Sequence, residues 1–150
     1  MAKKQCLVVV GNIASGKTAV CMLWVYEFKE FCMLSLDNWR FSMTGKMGYD
    51  REQAAQNAAL QMIGEDDHII FETTGTGRFF DRAMRLLIER GYDITMIQLQ
   101  CDPFACLQRF YNRSTEGYIL PPFPYTFKPQ AAIQHIASEH RHLQDRKSVV

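Results

Sequence analysis

The sequence predicts an α/β fold: a parallel sheet of four to five strands with helices on both faces, three layers in one domain. Two observations predict it. Short apolar runs alternate with stretches apolar at helical spacing, which is the pattern of βαβ units and of a sheet buried on both faces. The run Gly11-Asn12-Ile13-Ala14-Ser15-Gly16-Lys17-Thr18 fits G-x-x-x-x-G-K-[ST], and it stands directly behind the apolar run Cys6-Leu7-Val8-Val9-Val10. A strand before that motif and a helix after it are the context a phosphate-cradling loop requires.

The elements follow in order. Cys6–Val10 reads as a buried strand, and Lys17 to about Phe31 as a helix. Phe31-Cys32-Met33-Leu34-Ser35-Leu36 is a second short apolar run, ending in Asp37-Asn38-Trp39-Arg40. Phe41 to Tyr49, with Gly45 and Gly48, reads as a loop. Alanines and large apolar residues near helical spacing predict a helix from about Asp50 to Ile63, stopped by Gly64 and the acidic turn Glu65-Asp66-Asp67. His68-Ile69-Ile70-Phe71 is the third strand. A helix over Phe79 to Arg90 carries Phe80, Ala83, Met84, Leu87 and Ile88 on one face and closes at Gly91. Asp93 to Cys101 is the fourth strand, and Pro103, suited to a first helical turn, opens a helix through about Asn112. From Ser114 to Pro129 periodicity stops, and four of the chain's five prolines fall there. A last helix spans about Gln130 to Asp145, and Ser148-Val149-Val150 is at most the stub of a fifth strand.

With 150 residues, 47% of them apolar and 22% charged, the chain is large enough for one well-buried core. The 17 basic and 16 acidic side chains nearly cancel, so charge neither demands nor excludes a nucleic-acid partner. The first apolar run is too short for a signal-peptide core or a membrane span, and the sequence reads as cytoplasmic. Five cysteines without a C-x-x-C pair read as reduced core residues, and His135, His140 and His142 as a solvated helix face rather than zinc ligands.

A parallel sheet binds its ligands at the carboxyl ends of its strands. The residues brought to that edge are then the candidates. Gly11 and Gly16 let successive N–H groups turn inward at a positive helix end, Lys17 reaches the β- and γ-phosphates of a nucleoside triphosphate, and the Thr18 hydroxyl ligates Mg²⁺. Asp37 follows the second strand, where a carboxylate can orient an acceptor hydroxyl and take its proton. Arg40 can hold an acceptor phosphate or carboxylate. Glu72, after the third strand, serves either the metal or an acceptor hydroxyl. Thr74 adds a hydroxyl beside it, and Arg78 can reach an anionic substrate. Arg109 and Arg113, four apart after the fourth strand, are lid arginines that neutralise a transferring phosphoryl group as the region from about 104 to 128 closes.

On these residues the chain resembles the small P-loop kinases, specifically the polynucleotide kinase and zeta-toxin group. The resemblance runs from Leu7 to Arg113. It rests on Gly11 to Thr18, on Asp37-Asn38-Trp39-Arg40 as D-x-x-R, on Glu72 with its Thr/Gly tail, and on the arginines after the fourth strand. It implies a three-layer P-loop NTPase fold and transfer of the γ-phosphoryl of ATP, with Mg²⁺, to a hydroxyl of a nucleic acid or nucleotide. Asp37 is then the general base, Arg40 the acceptor contact, and Arg109 or Arg113 the lid arginine. Glu72-Thr73-Thr74-Gly75-Thr76 resembles the sugar-nucleotide-facing strand end of zeta toxins. The resemblance extends, as a third reading, to the phage kinases that phosphorylate hydroxymethylated pyrimidines in DNA. The reading from another class is a nucleotide-dependent switch that hydrolyses without an acceptor.

Overall fold

The computed structural model describes residues 3–12, 15–43, 45 and 48–115. The expected proline-rich segment beyond Thr115, the last helix and the terminal strand stub lie outside the described residues, as do Ile13 and Ala14.

The element order is β1 (Gln5–Val10), α1 (Lys17–Glu27), β2 (Cys32–Ser35), α2 (Leu36–Ser42), α3 (Gly48–Glu65), β3 (His68–Thr73), α4 (Arg78–Glu89), β4 (Asp93–Gln98) and α5 (Pro103–Thr115). Among the described residues the sheet has four strands, all parallel, in the order β2-β3-β1-β4. The expected α/β architecture is the observed one.

Alternation along the strands sorts the core into two layers. Cys6, Val8 and Val10 of β1, Leu34 of β2, and Ile69 and Phe71 of β3 pack against Ala59 and Ile63 of α3 and Phe80, Ala83 and Leu87 of α4. Leu7, Val9 and Ile70 face the other way, onto Cys21, Val20, Trp24 and Val25 of α1, with Phe31 closing that layer. The central strands are covered on both faces, which is why they read as unbroken apolar runs.

Helix ends follow local chemistry. α3 is interrupted where Ile63 and Gly64 leave helical geometry, as the sequence suggested. α4 closes with a paired cap, Gly91 N–H donating to Ile88 O and Tyr92 N–H to Leu87 O, while Tyr92 packs with Leu87 in the core. Ile88, expected on the buried face of this helix, is instead exposed. Two boundaries also differ. Phe41 and Ser42 belong to α2 rather than to a loop, because Ser35 caps the helix by accepting from Asn38 N–H and Trp39 Nε1 is anchored on Met62 of α3. β4 ends at Gln98, not Cys101, because its ladder partner β1 stops at Val10. No helix among the described residues is long and apolar enough to cross a membrane.

All five cysteines are free, with Cys6, Cys21 and Cys106 buried and Cys32 and Cys101 half-buried. Burial pushes the Cys6 and Cys21 thiols up to about 12. Neither is expected to react with a thiol-specific disulfide reagent at about pH 8 until denaturant opens the core. Rapid native-state labelling of Cys6, read by mass spectrometry, would contradict this packing.

Candidate functional site

The site is built where β1 ends. Val10 hands the chain to Gly11, whose N–H donates to Thr73 O at 3.2 Å, tying the loop to the end of β3. Space at Gly11 is tight. A Cβ there would lie 2.5 Å from Ser15 Oγ, 3.1 Å from Lys17 Cγ and 3.3 Å from Leu99 Cβ. Gly16, immediately before α1, has φ 95°, a left-handed conformation that side chains resist, and among the described residues no side chain caps the helix behind it. The first turn of α1 therefore keeps its positive end open for an anion.

Lys17 is buried, and its ammonium donates to Gly11 O at 2.8 Å and Asn12 O at 2.7 Å. Burial holds its pKa below the ordinary lysine value, while the Glu72 and Asp37 carboxylates work in the opposite direction. Those two acids thus lie within electrostatic reach of the lysine. Thr18 Oγ1 donates to Glu72 Oε1 at 2.6 Å, a contact spanning 54 residues of sequence. Strand parity explains it. Glu72 pairs with Val9 of β1 and lies two residues beyond Ile70, so it emerges on the α1 side of the sheet, where Thr18 stands.

Asp37 occupies the first turn of α2, partly exposed, with Oδ1 accepting from Arg40 Nη1 at 2.7 Å. Arg40 is held on its other side as well. Its Nε and Nη2 pair with both oxygens of Glu52 at 2.7 and 2.8 Å, and Gln56 Nε2 adds a bond to Glu52 Oε1 at 2.8 Å. Burial opposes the charge on Arg40, but Glu52 and Asp37 together raise its pKa above the usual value.

The other expected residues take the following places. Thr74 is half-buried just past β3, where the Thr73 hydroxyl accepts from Gly75 N–H at 3.0 Å. Arg78 is exposed at the first position of α4. Arg109 on α5 donates to Cys101 Sγ at 3.6 Å. Cys106, one turn earlier, is pushed up to about 12, by burial first and the neighbouring Cys101 thiol second, with Arg109 and Lys17 opposing. That brings the start of α5 within electrostatic range of Lys17. Arg113 lies on α5, and its side chain is outside the described residues, as are Ile13 and Ala14 of the loop.

The residues present fit a nucleoside triphosphate with a hard divalent cation. Ser15 Oγ is buried and takes no hydrogen bond among the described residues, as expected of a hydroxyl whose partner is a ligand. Among the described residues no group of three or more His, Cys, Asp or Glu side chains is placed to hold a metal. One hydroxyl and one carboxylate oxygen suit magnesium, which takes its remaining ligands from phosphates and water.

No protein-family model matches the chain, and no curated protein matches it by sequence. Solved structures do. The chain superposes with a TM-score of 0.70 on a chain of the Pnkp1/Rnl/Hen1 RNA repair complex, at 14% identity, covering 97% of this chain and 47% of that one. A candidate kinase of Chloroflexus aurantiacus gives 0.69 at 17% identity, covering 91% and 80%. A chain of the PezAT chromosomal toxin–antitoxin system of Streptococcus pneumoniae gives 0.64 at 16% identity, covering 98% and 64%. The chain spans about half the length of the RNA-repair chain. The shared fold is that of the P-loop NTPase kinases.

Glu52 was absent from the residues singled out by sequence. The signal was present, since Glu52, Ala55, Ala59 and Ile63 form the buried stripe of α3 and a carboxylate interrupts an otherwise apolar row.

Two outcomes are expected. Gly11→Ala should weaken binding of magnesium–ATP about tenfold or more in calorimetry, because the new methyl displaces Ser15 and Lys17. Unchanged affinity would show that the close approach is not needed. The second concerns pH. Burial would raise the Glu52 carboxyl, but the bonds from Arg40 and Gln56 and the Arg40 charge hold it below its ordinary 4.5. A carboxyl depressed in the folded state stabilises fully above its unfolded pKa and loses that contribution as pH falls through the folded one. Stability of the wild type to urea should thus fall as pH drops below the ordinary 4.5 of this carboxyl, and Glu52→Gln should flatten that slope. Equal slopes would count against the pairing.

Proposed function

We propose that the chain is a P-loop kinase that moves the γ-phosphoryl group of ATP to a hydroxyl of a nucleic-acid or nucleotide acceptor. The observation that carries this reading is the meeting of Lys17, Thr18, Glu72 and Asp37 at one sheet edge, with Thr18 and Glu72 joined at 2.6 Å and both carboxylates acting on the lysine.

The roles follow from what each group is bonded to. Lys17 exchanges the Gly11 and Asn12 carbonyls for phosphate oxygens, trading neutral acceptors for charged ones, which makes stronger hydrogen bonds. The open first turn of α1 and the Ser15 hydroxyl complete the phosphate cradle. Thr18 and Glu72 are the residues that would hold Mg²⁺, which when bound neutralises phosphate charge and orients the transferring group. Arg40 fixes Asp37 through Oδ1, leaving Oδ2 to take the proton of the acceptor hydroxyl. The acceptor oxygen bonds to the γ-phosphorus, the bond from that phosphorus to the β–γ bridging oxygen breaks, and ADP leaves with the electron pair. Arg109, midway along α5, or Arg113, a turn further on, would neutralise charge on the phosphoryl as it transfers.

The acceptor class is supported by the D-x-x-R pattern at Asp37 and Arg40, and by structural similarity to a protein of an RNA repair complex. A small sugar-nucleotide acceptor is the second reading, favoured by Thr73 and Thr74 beside Glu72 and by similarity to a toxin–antitoxin protein.

The test is transfer of labelled γ-phosphate, with Lys17→Ala as the blank. 5′-hydroxyl oligonucleotides, hydroxymethylpyrimidine DNA, nucleosides and sugar nucleotides are offered side by side. Label in polynucleotide or nucleoside is the expected result. Label confined to sugar nucleotides selects the second reading, and phosphate released only to water rejects both in favour of a nucleotide switch. Asp37→Asn is expected to lower kcat for transfer by roughly 100-fold with ATP affinity unchanged. Full activity in that variant would remove Asp37 from the role of base.

A further inference from the structure

We propose that Glu52 is a positioning residue for the catalytic pair, setting Asp37 indirectly by clamping Arg40. The inference rests on the kinase reading, in which Asp37 receives the acceptor proton.

Two helices, α2 and α3, meet at the clamp. Glu52, in the buried stripe of α3, offers both oxygens to the Nε and Nη2 of Arg40 at 2.7 and 2.8 Å. Gln56, one turn on, holds Glu52 Oε1 at 2.8 Å. Arg40, on α2, then donates from Nη1 to Asp37 Oδ1 at 2.7 Å. The arginine side chain is 13% exposed and the glutamate 9%, against 43% for Asp37. The order of burial runs from the deepest group to the one that meets solvent.

The geometry explains why a carboxylate belongs in an apolar stripe. A guanidinium is planar, so a two-point bond to Glu52 fixes the plane and aims its remaining edge. Asp37 sits on a seven-residue helix, and its carboxylate is held by that edge. Without Glu52, Arg40 can turn both of its Nη groups toward Asp37, bonding both carboxylate oxygens and making the one that must take the acceptor proton less basic. Glu52 thus keeps Arg40 from over-binding the base. It also takes up three-fifths of the arginine's donors jointly with Asp37, leaving one N–H on each Nη for an acceptor anion. An acceptor phosphate would meet an arginine already flanked by two carboxylates, so Arg40 contributes alignment of the base more than attraction of the acceptor.

Two readouts test this, and they separate its failure from failure of the kinase reading. The first needs no activity. In ¹H–¹⁵N spectra of the full chain, the Arg40 Nε–H is expected to be slowly exchanging in the wild type and to move to the free-arginine position in Glu52→Gln. A rapidly exchanging Arg40 Nε–H in the wild type would overturn the clamp, whatever the enzyme does. The second is kinetic. Glu52→Gln should lower kcat about 10- to 100-fold, as small misplacements of catalytic groups do, with KM for ATP within about twofold. The double variant Arg40→Gln/Glu52→Gln should be no slower than Arg40→Gln alone. A folded Glu52→Gln with wild-type kcat, or penalties that simply add, would overturn the positioning role. If Glu52→Gln does not fold, Arg40→Lys keeps the charge but cannot bridge both acids, and the same loss of kcat is expected. A protected Arg40 signal in a wild-type protein that transfers phosphate to no acceptor would reject the kinase reading and the positioning role with it, while a functioning kinase with an unprotected Arg40 would reject this proposal alone.

Discussion

The site depends on one buried cation. The Lys17 ammonium is removed from water and held by two backbone carbonyls of its own loop, at 2.7 and 2.8 Å. A desolvated ammonium is tolerated only where it is paired or hydrogen-bonded. Here the loop supplies the bonds, and the nearby Glu72 and Asp37 carboxylates supply opposite charge. Lysine and loop thus shape one another: the close turn at Gly11 brings its carbonyl to Nζ, and Nζ holds the turn closed. The same turn leaves Ser15 Oγ buried without a bond among the described residues and the first turn of α1 uncapped. A charged ligand can relieve these unmet demands together.

The sheet sets which side chains answer that cation. In the parallel register Glu72 stands between Val9 of β1 and Ser35 of β2, on the α1 side. A one-residue slip would turn Glu72 toward α4 and separate it from Thr18. The slip is opposed by the whole opposite layer, where Cys6, Val8, Leu34, Ile69 and Phe71 pack in register against α3 and α4. Core packing and site assembly are therefore one constraint. The order β2-β3-β1-β4 places the Asp37 and Glu72 strand ends on one side of the phosphate loop and the Arg109 end on the other.

Much of this was legible from the residues. The strand before Gly11, the helix after Gly16 and the alternation of runs predicted the sheet, because a strand buried on both faces has no polar positions to confuse its period. The edge residues could be named because a parallel sheet gathers its strand ends. Other features were hidden because they depend on contacts distant in sequence. The Thr18–Glu72 bond could be anticipated as two metal-side oxygens, but not as a direct contact. Phe41 reads as loop in the sequence because its helix is held by a capping serine and by Trp39 against α3, neither of which shows as periodicity. The inward bond of Arg40 is not legible in the sequence because its partner, Glu52, sits twelve residues away on another helix. The apolar stripe of α3 contained the hint, a carboxylate at a position where its neighbours are alanine and isoleucine.

The most direct test of the central claim is calorimetric binding of a non-hydrolysable ATP analogue, with magnesium and with chelator, to the wild type, Thr18→Ala and Glu72→Gln. If Lys17, Thr18 and Glu72 form a triphosphate and metal site, the wild type binds much more tightly with magnesium, and each variant loses most of that difference while retaining metal-independent binding through Lys17. Binding by the wild type that ignores magnesium, or an unaltered magnesium effect in both variants, would contradict it.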